Sequence, residues 1–231
     1  MRRIIKAKEL RAKKTVALAR WLLGKHLVRR RADGRIDARL ITEVEAYDGE
    51  RDLACHARAG RTPRTAAMYA PGGVWYIYLC YGVHELLNLV VGPRNWPAAV
   101  LIRGVEGVSG PGRVTKALAI DRELNARPAT IRASGLWLED RGGCVPRRSI
   151  RATPRIGVSF AGSKWAQKPW RFILEARASA PDHVEDRPRK SNRVSRCAER
   201  CTRPESAAPT RRDRSDQTGA RKVRRRPPPG G

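Results

Sequence analysis

The sequence has few acidic residues and no long apolar run. It contains 22 Asp and Glu against 49 Lys and Arg, a formal net charge of +27 with an isoelectric point near 11.3. This surplus favours a polyanionic partner, and six Trp and five Tyr point to nucleic acid, although a membrane surface would also attract the charge. No apolar run of about 18 residues occurs, and the first residues lack the apolar core of a signal peptide. We therefore expect no membrane partner and a cytoplasmic location, at the nucleoid if the source is bacterial.

Cysteine is sparse and scattered, and aromatic residues are absent after residue 175. The five cysteines include no C-x-x-C pair, which argues against a zinc site. Residues 176–231 carry 16 Lys and Arg against 7 Asp and Glu, and three Val are their only larger aliphatic side chains. Such a segment cannot bury enough apolar surface to offset its ordering entropy. We expect a folded domain over residues 1–175 and a disordered, basic, Pro- and Arg-rich tail over residues 176–231. That tail would bind nucleic acid nonspecifically, be inert, or lie outside the ancestral reading frame.

The apolar pattern of the first 175 residues predicts a single α+β domain with mainly antiparallel strands and flanking helices. TVALARWLLG has helical spacing with Gly24 as a C-cap, and Asp33-Gly34 predicts a hairpin turn. Strands are predicted at VWYIYLC, VHELLNLVVG, AAVLIRGVEG, RIGV and WRFIL, and a Gly-Pro-Gly turn leads SGPGRVTKALAI into a helix. The Tyr81-Gly82 pair lies at the tip of a projecting hairpin between two of these strands.

Glu45 is the first candidate for chemistry. A period of two places Glu43, Glu45 and Tyr47 on one face of a strand, and His56 follows in the next loop. An acid, a phenol and an imidazole near a strand end form a candidate catalytic group. The alternative is that Glu45 is a solvated surface residue.

Tyrosines on the hairpin are the second candidate. Tyr76 and Tyr78 alternate onto one face, with Asn88 on the paired strand. They would either pack in the core or bind a flat heteroaromatic ring. Tyr81 at the tip would either fold back onto the sheet or enter a base stack as a wedge.

The Gly-Pro-Gly turn is the third candidate. It leads into a helix that carries Arg113 and Lys116, and free amide groups with positive charge suit a phosphate. Together with Arg64, these two residues are candidates for contacts with a nucleic-acid backbone.

The motifs together resemble one family. EVEAYDGERDLACHARAGRTPRTAAMYAPGGVWYIYLCYGVHELLN, AAVLIRGVEG, GPGRVTKALAI, PRIGV and KPWRF, in that order, are similar to the alkyladenine (3-methyladenine, N-methylpurine) DNA glycosylases. The resemblance covers about residues 10–174 and implies a fold with a curved antiparallel sheet. It also implies an enzyme that needs no metal or organic cofactor. It implies a monomer that flips damaged purines from double-stranded DNA and hydrolyses the N-glycosidic bond. After Leu174 the chain departs from the sequence of the family's final short strand. The resemblance therefore does not say which segment completes the packing there.

The resemblance assigns roles residue by residue. Glu45 matches the Glu that activates water, helped by Arg103 and by a backbone carbonyl at Ile156. The base pocket corresponds to Tyr47, His56, Tyr78 and Asn88, and the side chain that fills the vacated stack corresponds to Tyr81. Alkylation makes the purine cationic, so it departs as a neutral base without an acid catalyst, and hypoxanthine is expected to be slower.

Two further interpretations of the sequence concern the reaction. No Lys occurs from His26 to Thr115, so an amine nucleophile for lyase chemistry is not expected in the pocket. A noncatalytic nucleic-acid binder would explain the charge but not Glu45 beside Tyr47 and His56. A metal-dependent nuclease using His56, His84 and Cys55 would lack the clustered carboxylates that divalent cations prefer.

Overall fold

A computed structural model describes residues 2–175 of the chain. The predicted tail over residues 176–231 lies outside these described residues. The departure from the family pattern after Leu174 therefore lies outside them too, except for Glu175. The described residues form ten strands and three α-helices. The strands are β1 (Arg3–Ile4), β2 (His26–Arg30), β3 (Ile36–Asp48), β4 (Trp75–Cys80), β5 (His84–Val91), β6 (Ala98–Val105), β7 (Val108–Ser109), β8 (Leu136–Asp140), β9 (Ile150–Thr153) and β10 (Arg171–Leu174). The helices are α1 (Thr15–Leu22), α2 (Pro111–Ala117) and α3 (Ser163–Ala166).

One open sheet organises the domain. Its main path runs β1-β8-β2-β3-β6-β5-β4, and every described strand pair is antiparallel. The predicted α+β class with a mainly antiparallel sheet is therefore confirmed. Helix α1 packs on β3, and apolar side chains from helix and sheet form the main core. None of the described helices has the length and apolar character needed to cross a bilayer.

The long strand β3 carries the site residues through the middle of this sheet. Its first half pairs with β2 and its second half with β6, while β10 pairs with residues Glu43–Glu45. Val44 and Ala46 point into the core and have no exposed surface. Because β3 has neighbours along its length, Glu45 is also fully buried, so the interpretation of Glu45 as a solvated residue is wrong.

The two predicted hairpins form at their turn residues. Gly34 adopts a φ of +82°, and the Arg35 amide bonds the Asp33 carboxylate at 2.9 Å. At the second tip, Tyr81 and Gly82 have φ values of +50° and +72°, and the Val83 amide donates to the Cys80 carbonyl at 3.1 Å. Two successive positive φ angles are those of a type I′ turn, the form that matches the twist of paired strands.

The helix predictions are confirmed as well. Helix α1 ends at Leu22, and Gly24 follows with a φ of +79°, the left-handed conformation of a residue just past a helix end. Helix α2 begins at Pro111, directly after Gly110 with a φ of +100°. The Gly-Pro-Gly turn therefore enters a helix as expected.

One strand prediction is wrong, and the strands β1, β7, β8 and β9 were not predicted. Residues Arg155–Val158 (RIGV) form no ladder, because the Ile156 amide is bonded to a side chain and Gly157 has a φ of +74°. The strand lies earlier, at Ile150–Thr153. The sequence pattern also did not predict β8 (Leu136–Asp140), which joins β1 to β2.

Candidate active site

A cavity of about 490 Å³ lies between the β4–β5 hairpin and the segment after β9. No carboxylate is among the residues that line it, in the part of the chain that the structure describes. The wall is mainly aromatic and apolar, with two arginines and one amide. It includes Tyr47, His56, Arg64, Tyr76, Tyr78, Tyr81, Asn88, Arg103, Ile156, Val158 and Phe160.

Glu45 lies directly behind this wall. The Ile156 amide donates to Glu45 Oε1 at 2.8 Å, and the Tyr47 hydroxyl donates to Glu45 Oε2 at 2.8 Å. Arg103 Nη1 is 3.4 Å from Oε1. Burial raises the pKa of the Glu45 carboxyl, and Arg103, the amide and the phenol oppose that rise. All three contacting residues line the cavity, so the carboxylate lies directly against the groups that form its wall.

A second carboxylate fixes Arg103. Glu43 Oε1 accepts from Arg103 Nε at 2.9 Å and from Arg171 Nε at 2.6 Å. Arg171 comes from β10, the strand that covers Glu43–Glu45. Glu43 therefore holds the guanidinium that faces Glu45 without lining the cavity itself.

A buried ion pair supports Tyr47 from behind. Arg155 Nη1 and Nη2 both donate hydrogen bonds to the Asp52 carboxylate, and neither side chain has exposed surface. Asp52 also accepts from the amides of Asp48 and Ala54 at 3.1 Å. Arg155 Cζ lies 4.8 Å from the centre of the Tyr47 ring. The pair thus anchors the segment that supplies Ile156 against the strand that supplies Glu45.

Aromatic side chains form the opposite part of the wall. His56 Nδ1 lies 3.1 Å from the Tyr76 hydroxyl oxygen, and the His56 and Tyr78 rings meet edge to face at 4.5 Å between centres. Burial, followed by the charges of Arg64 and Arg58, lowers the pKa of His56 to about 4. His56 is therefore neutral near pH 7, and one of its ring nitrogens can accept a hydrogen bond.

The remaining predicted pocket residue, Asn88, is also held in place. It pairs with Tyr76 across β4 and β5, and its Nδ2 donates to the carbonyls of Tyr76 at 3.1 Å and Leu86 at 3.3 Å. These bonds to backbone fix the amide plane at the cavity wall.

Tyr81 is 94% exposed at the hairpin tip and reaches the cavity mouth. The alternative in which it folds back onto the sheet is therefore wrong. A tyrosine held at positive φ with almost no packing has no evident structural benefit, which favours a role in contact with a partner.

The three residues predicted to contact the DNA backbone lie in different places. Arg113 and Lys116 lie on α2, outside the cavity wall. Arg64 is exposed and lies at the cavity, with its Cζ 5.1 Å from the centre of the Tyr78 ring.

Several parts of the site were not predicted as such. Glu43 shares a face with Glu45, which was visible in the sequence, but its role in holding Arg103 was not. Asp52, Arg155 and Arg171 carried no signal, because their partners are distant in the chain. Phe160 is 58% exposed at the cavity rim and resembles any loop aromatic in the sequence. Among the described residues, no group of His, Cys, Asp and Glu is arranged to hold a metal ion.

Comparison with known proteins finds sequence matches that span the segments forming the site. A family model described as Methylpurine-DNA glycosylase (MPG) matches residues 9–109 and 106–178. A protein of Psychrobacter cryohalolentis is 46% identical over 180 residues, covering 65% of this chain and 83% of its own. One of Anaeromyxobacter sp. (strain Fw109-5) is 44% identical over 180 residues, covering 74% and 90%. One of Methanocella arvoryzae is 44% identical over 179 residues, covering 68% and 86%. All three are named as candidate 3-methyladenine DNA glycosylases.

Proposed function

This chain belongs to the methylpurine-DNA glycosylase family and is a DNA glycosylase of alkylated-base repair; from this premise we propose how its site works. It binds double-stranded DNA as a monomer and flips 3-methyladenine, 7-methylguanine and, more slowly, hypoxanthine into the cavity. It then hydrolyses the N-glycosidic bond with water and leaves an abasic site. The observation that carries this proposal is a buried carboxylate, Glu45, directly behind an aromatic-walled cavity.

Glu45 is the general base and the counter-charge of the reaction. Cleavage of the bond from the purine nitrogen to C1′ builds oxocarbenium character on the sugar, which a carboxylate stabilises. The attacking water belongs beside Glu45 Oε1, where Arg103 and Ile156 both border the cavity. Burial raises the pKa of Glu45, and a more basic carboxylate accepts the proton of that water more readily.

The base departs without an acid catalyst. A purine alkylated at N3 or N7 carries a positive charge, so the electron pair of the broken bond neutralises it. The wall supplies aromatic faces from Tyr47 and Tyr78, which attract a desolvated cation by about 0.5–2 kcal/mol each. The low pKa of His56 keeps that ring uncharged, so it adds no repulsion.

Water, not an amine, attacks the sugar. No Lys occurs between His26 and Thr115, and none of the described residues that line the cavity is a Lys. A Schiff base with the sugar requires such an amine, so the enzyme is monofunctional and has no lyase step.

DNA is held outside the cavity. Tyr81, exposed at the mouth, fills the space left by the flipped base, and Arg113 and Lys116 contact phosphates from α2. Because Tyr81, Arg113 and Lys116 bind DNA in this proposal, it agrees with a cytoplasmic, nucleoid-associated location of the protein.

Base release from alkylated duplex DNA tests this function. The protein is incubated with methylated DNA with and without EDTA, and the released bases are separated by chromatography. We expect 3-methyladenine and 7-methylguanine in both cases, abasic sites that break only after alkali treatment, and no adduct on borohydride reduction. Binding without release would support a noncatalytic DNA-binding protein instead. Loss of release in EDTA would contradict the metal-free mechanism.

A further inference from the structure

Arg64 places a permanent positive charge at the wall that receives the base. Its Cζ lies over the Tyr78 ring, 5.1 Å from the ring centre, and it is one of the two arginines that line the cavity. The second, Arg103, is bonded to Glu43 and faces Glu45. The charge of Arg64 is felt by its neighbours, since it helps to lower the pKa of His56 and opposes the rise that burial causes in the pKa of Tyr76.

We propose that Arg64 is a specificity-determining residue that shifts the preference of the enzyme from cationic alkylpurines toward neutral purine lesions. The proposal rests on the proposed function, because it concerns the base that enters the same cavity. It assigns to Arg64 a contact with the base in addition to any contact with a phosphate.

Electrostatics gives the first reason. A guanidinium keeps its charge at every accessible pH, so Arg64 repels a cationic base placed against Tyr78. Arg64 also lies over one face of the Tyr78 ring, so this face is not free to attract the cation. A neutral purine meets neither penalty.

Hydrogen bonding gives the second reason. N3 and N7 of a neutral purine are acceptors, and a guanidinium offers only donors. Alkylation at either nitrogen removes that acceptor and replaces it with a methyl group. A donor at this wall therefore stabilises a neutral base and loses its partner when the base is alkylated.

Arg61 is a matched control in the same segment. It is exposed, carries the same charge, and lies 5.8 Å from the centre of a tyrosine ring, that of Tyr69. However, Arg61 does not line the cavity. A purely phosphate-binding role predicts similar behaviour for the two arginines, whereas the proposal separates them.

The first test compares Arg64→Met, Arg64→Lys and Arg61→Met with wild type in the full chain. Single-turnover release of 7-methylguanine and of hypoxanthine is measured at saturating protein in duplexes of one sequence. We expect Arg64→Met to raise the ratio of the 7-methylguanine rate to the hypoxanthine rate about tenfold. This is less than unscreened charges would give, because Arg64 is solvent-exposed. Arg64→Lys keeps the charge and should stay near the wild-type ratio, as should Arg61→Met. An unchanged ratio in Arg64→Met would overturn the proposal.

The second test needs no catalysis. NMR titration gives the dissociation constants of two free bases for the DNA-free protein: 3,9-dimethyladeninium, a permanent cation, and neutral 9-methyladenine. The dissociation constant of the neutral base divided by that of the cation should be about tenfold higher for Arg64→Met than for wild type. If wild type released no base from DNA, the proposed function would fail, yet this ratio would still decide the role of Arg64. An equal change in both affinities would reject it.

Discussion

Replacing Glu45 by Gln removes the buried negative charge while it keeps the shape of the side chain. The carboxylate accepts from the Ile156 amide on one oxygen and from the Tyr47 hydroxyl on the other. Gln has only one oxygen, but the Tyr47 hydroxyl can rotate and accept from the new amide group. Arg103 keeps its bond to Glu43. We therefore expect a loss of stability of only about 1 kcal/mol, the scale of one hydrogen bond.

The effect on the reaction should be much larger. General base catalysis contributes about 10²- to 10⁴-fold, and the variant also loses the charge that faces the developing oxocarbenium ion. Base release under single-turnover conditions should fall at least about 10²-fold, which corresponds to about 2.7 kcal/mol in the barrier. DNA binding should be equal or tighter, because a negative charge near the phosphates is gone.

Three measurements on one preparation separate the possible outcomes: single-turnover base release, affinity for lesion-containing duplex, and the unfolding midpoint. A Glu45→Gln variant that retains most of its activity would remove Glu45 from the mechanism. A variant that loses activity, affinity and several degrees of stability together would show that Glu45 mainly supports the fold.

The other predictions address the pKa of Glu45, the hairpin tip, the buried ion pair and the tail. The rate of base release should rise with pH as Glu45 loses its proton. Because the Tyr47 hydroxyl lowers the pKa of Glu45, Tyr47→Phe should move this rise to higher pH. An unmoved pH profile would mean that another group titrates. Tyr81→Ser should slow release strongly from a well-paired duplex and weakly from a mismatched one, since flipping costs a few kcal/mol that a filling side chain partly recovers; equal losses with a lower unfolding temperature would reject the wedge role. Asp52→Ala leaves Arg155 buried without its counter-ion and should lower the free energy of unfolding, measured by urea titration, by about 3–5 kcal/mol. The double variant Asp52→Ala/Arg155→Met should recover part of this loss. A change below about 1 kcal/mol in Asp52→Ala would contradict this expectation. A chain that ends at Glu175 should retain its chemistry at saturating protein but bind DNA with a shallower salt dependence, by about 0.9 in slope for each phosphate that the tail no longer neutralises; an unchanged slope would show that the tail does not bind DNA.

Short-range features of this protein could be predicted from its sequence. Backbone preferences act over a few residues, so Asp33-Gly34 and Tyr81-Gly82 marked the two turns, and alternation marked the faces of β3 and β4. The same local rules placed Glu43, Glu45 and Tyr47 on one face and Tyr81 at a tip. The ordered motifs then indicated the family, which the comparisons confirm. The wrong strand at Arg155–Val158 shows the limit of these rules, because side-chain bonds there replace a ladder.

Only the tertiary structure decided what surrounds Glu45. The Ile156 amide lies 111 positions away in the chain, and Arg171, which helps Glu43 to hold Arg103, lies 128 positions from Glu43. The buried pair of Asp52 and Arg155 spans 103 positions. Contacts at such separations follow from how β10 and the segment after β9 close over β3, a choice made by the packing of the whole core and not by local preferences. The same closure buries Glu45 and raises its pKa, so the sequence determined which residue carries the charge, and the fold determined how basic that charge is.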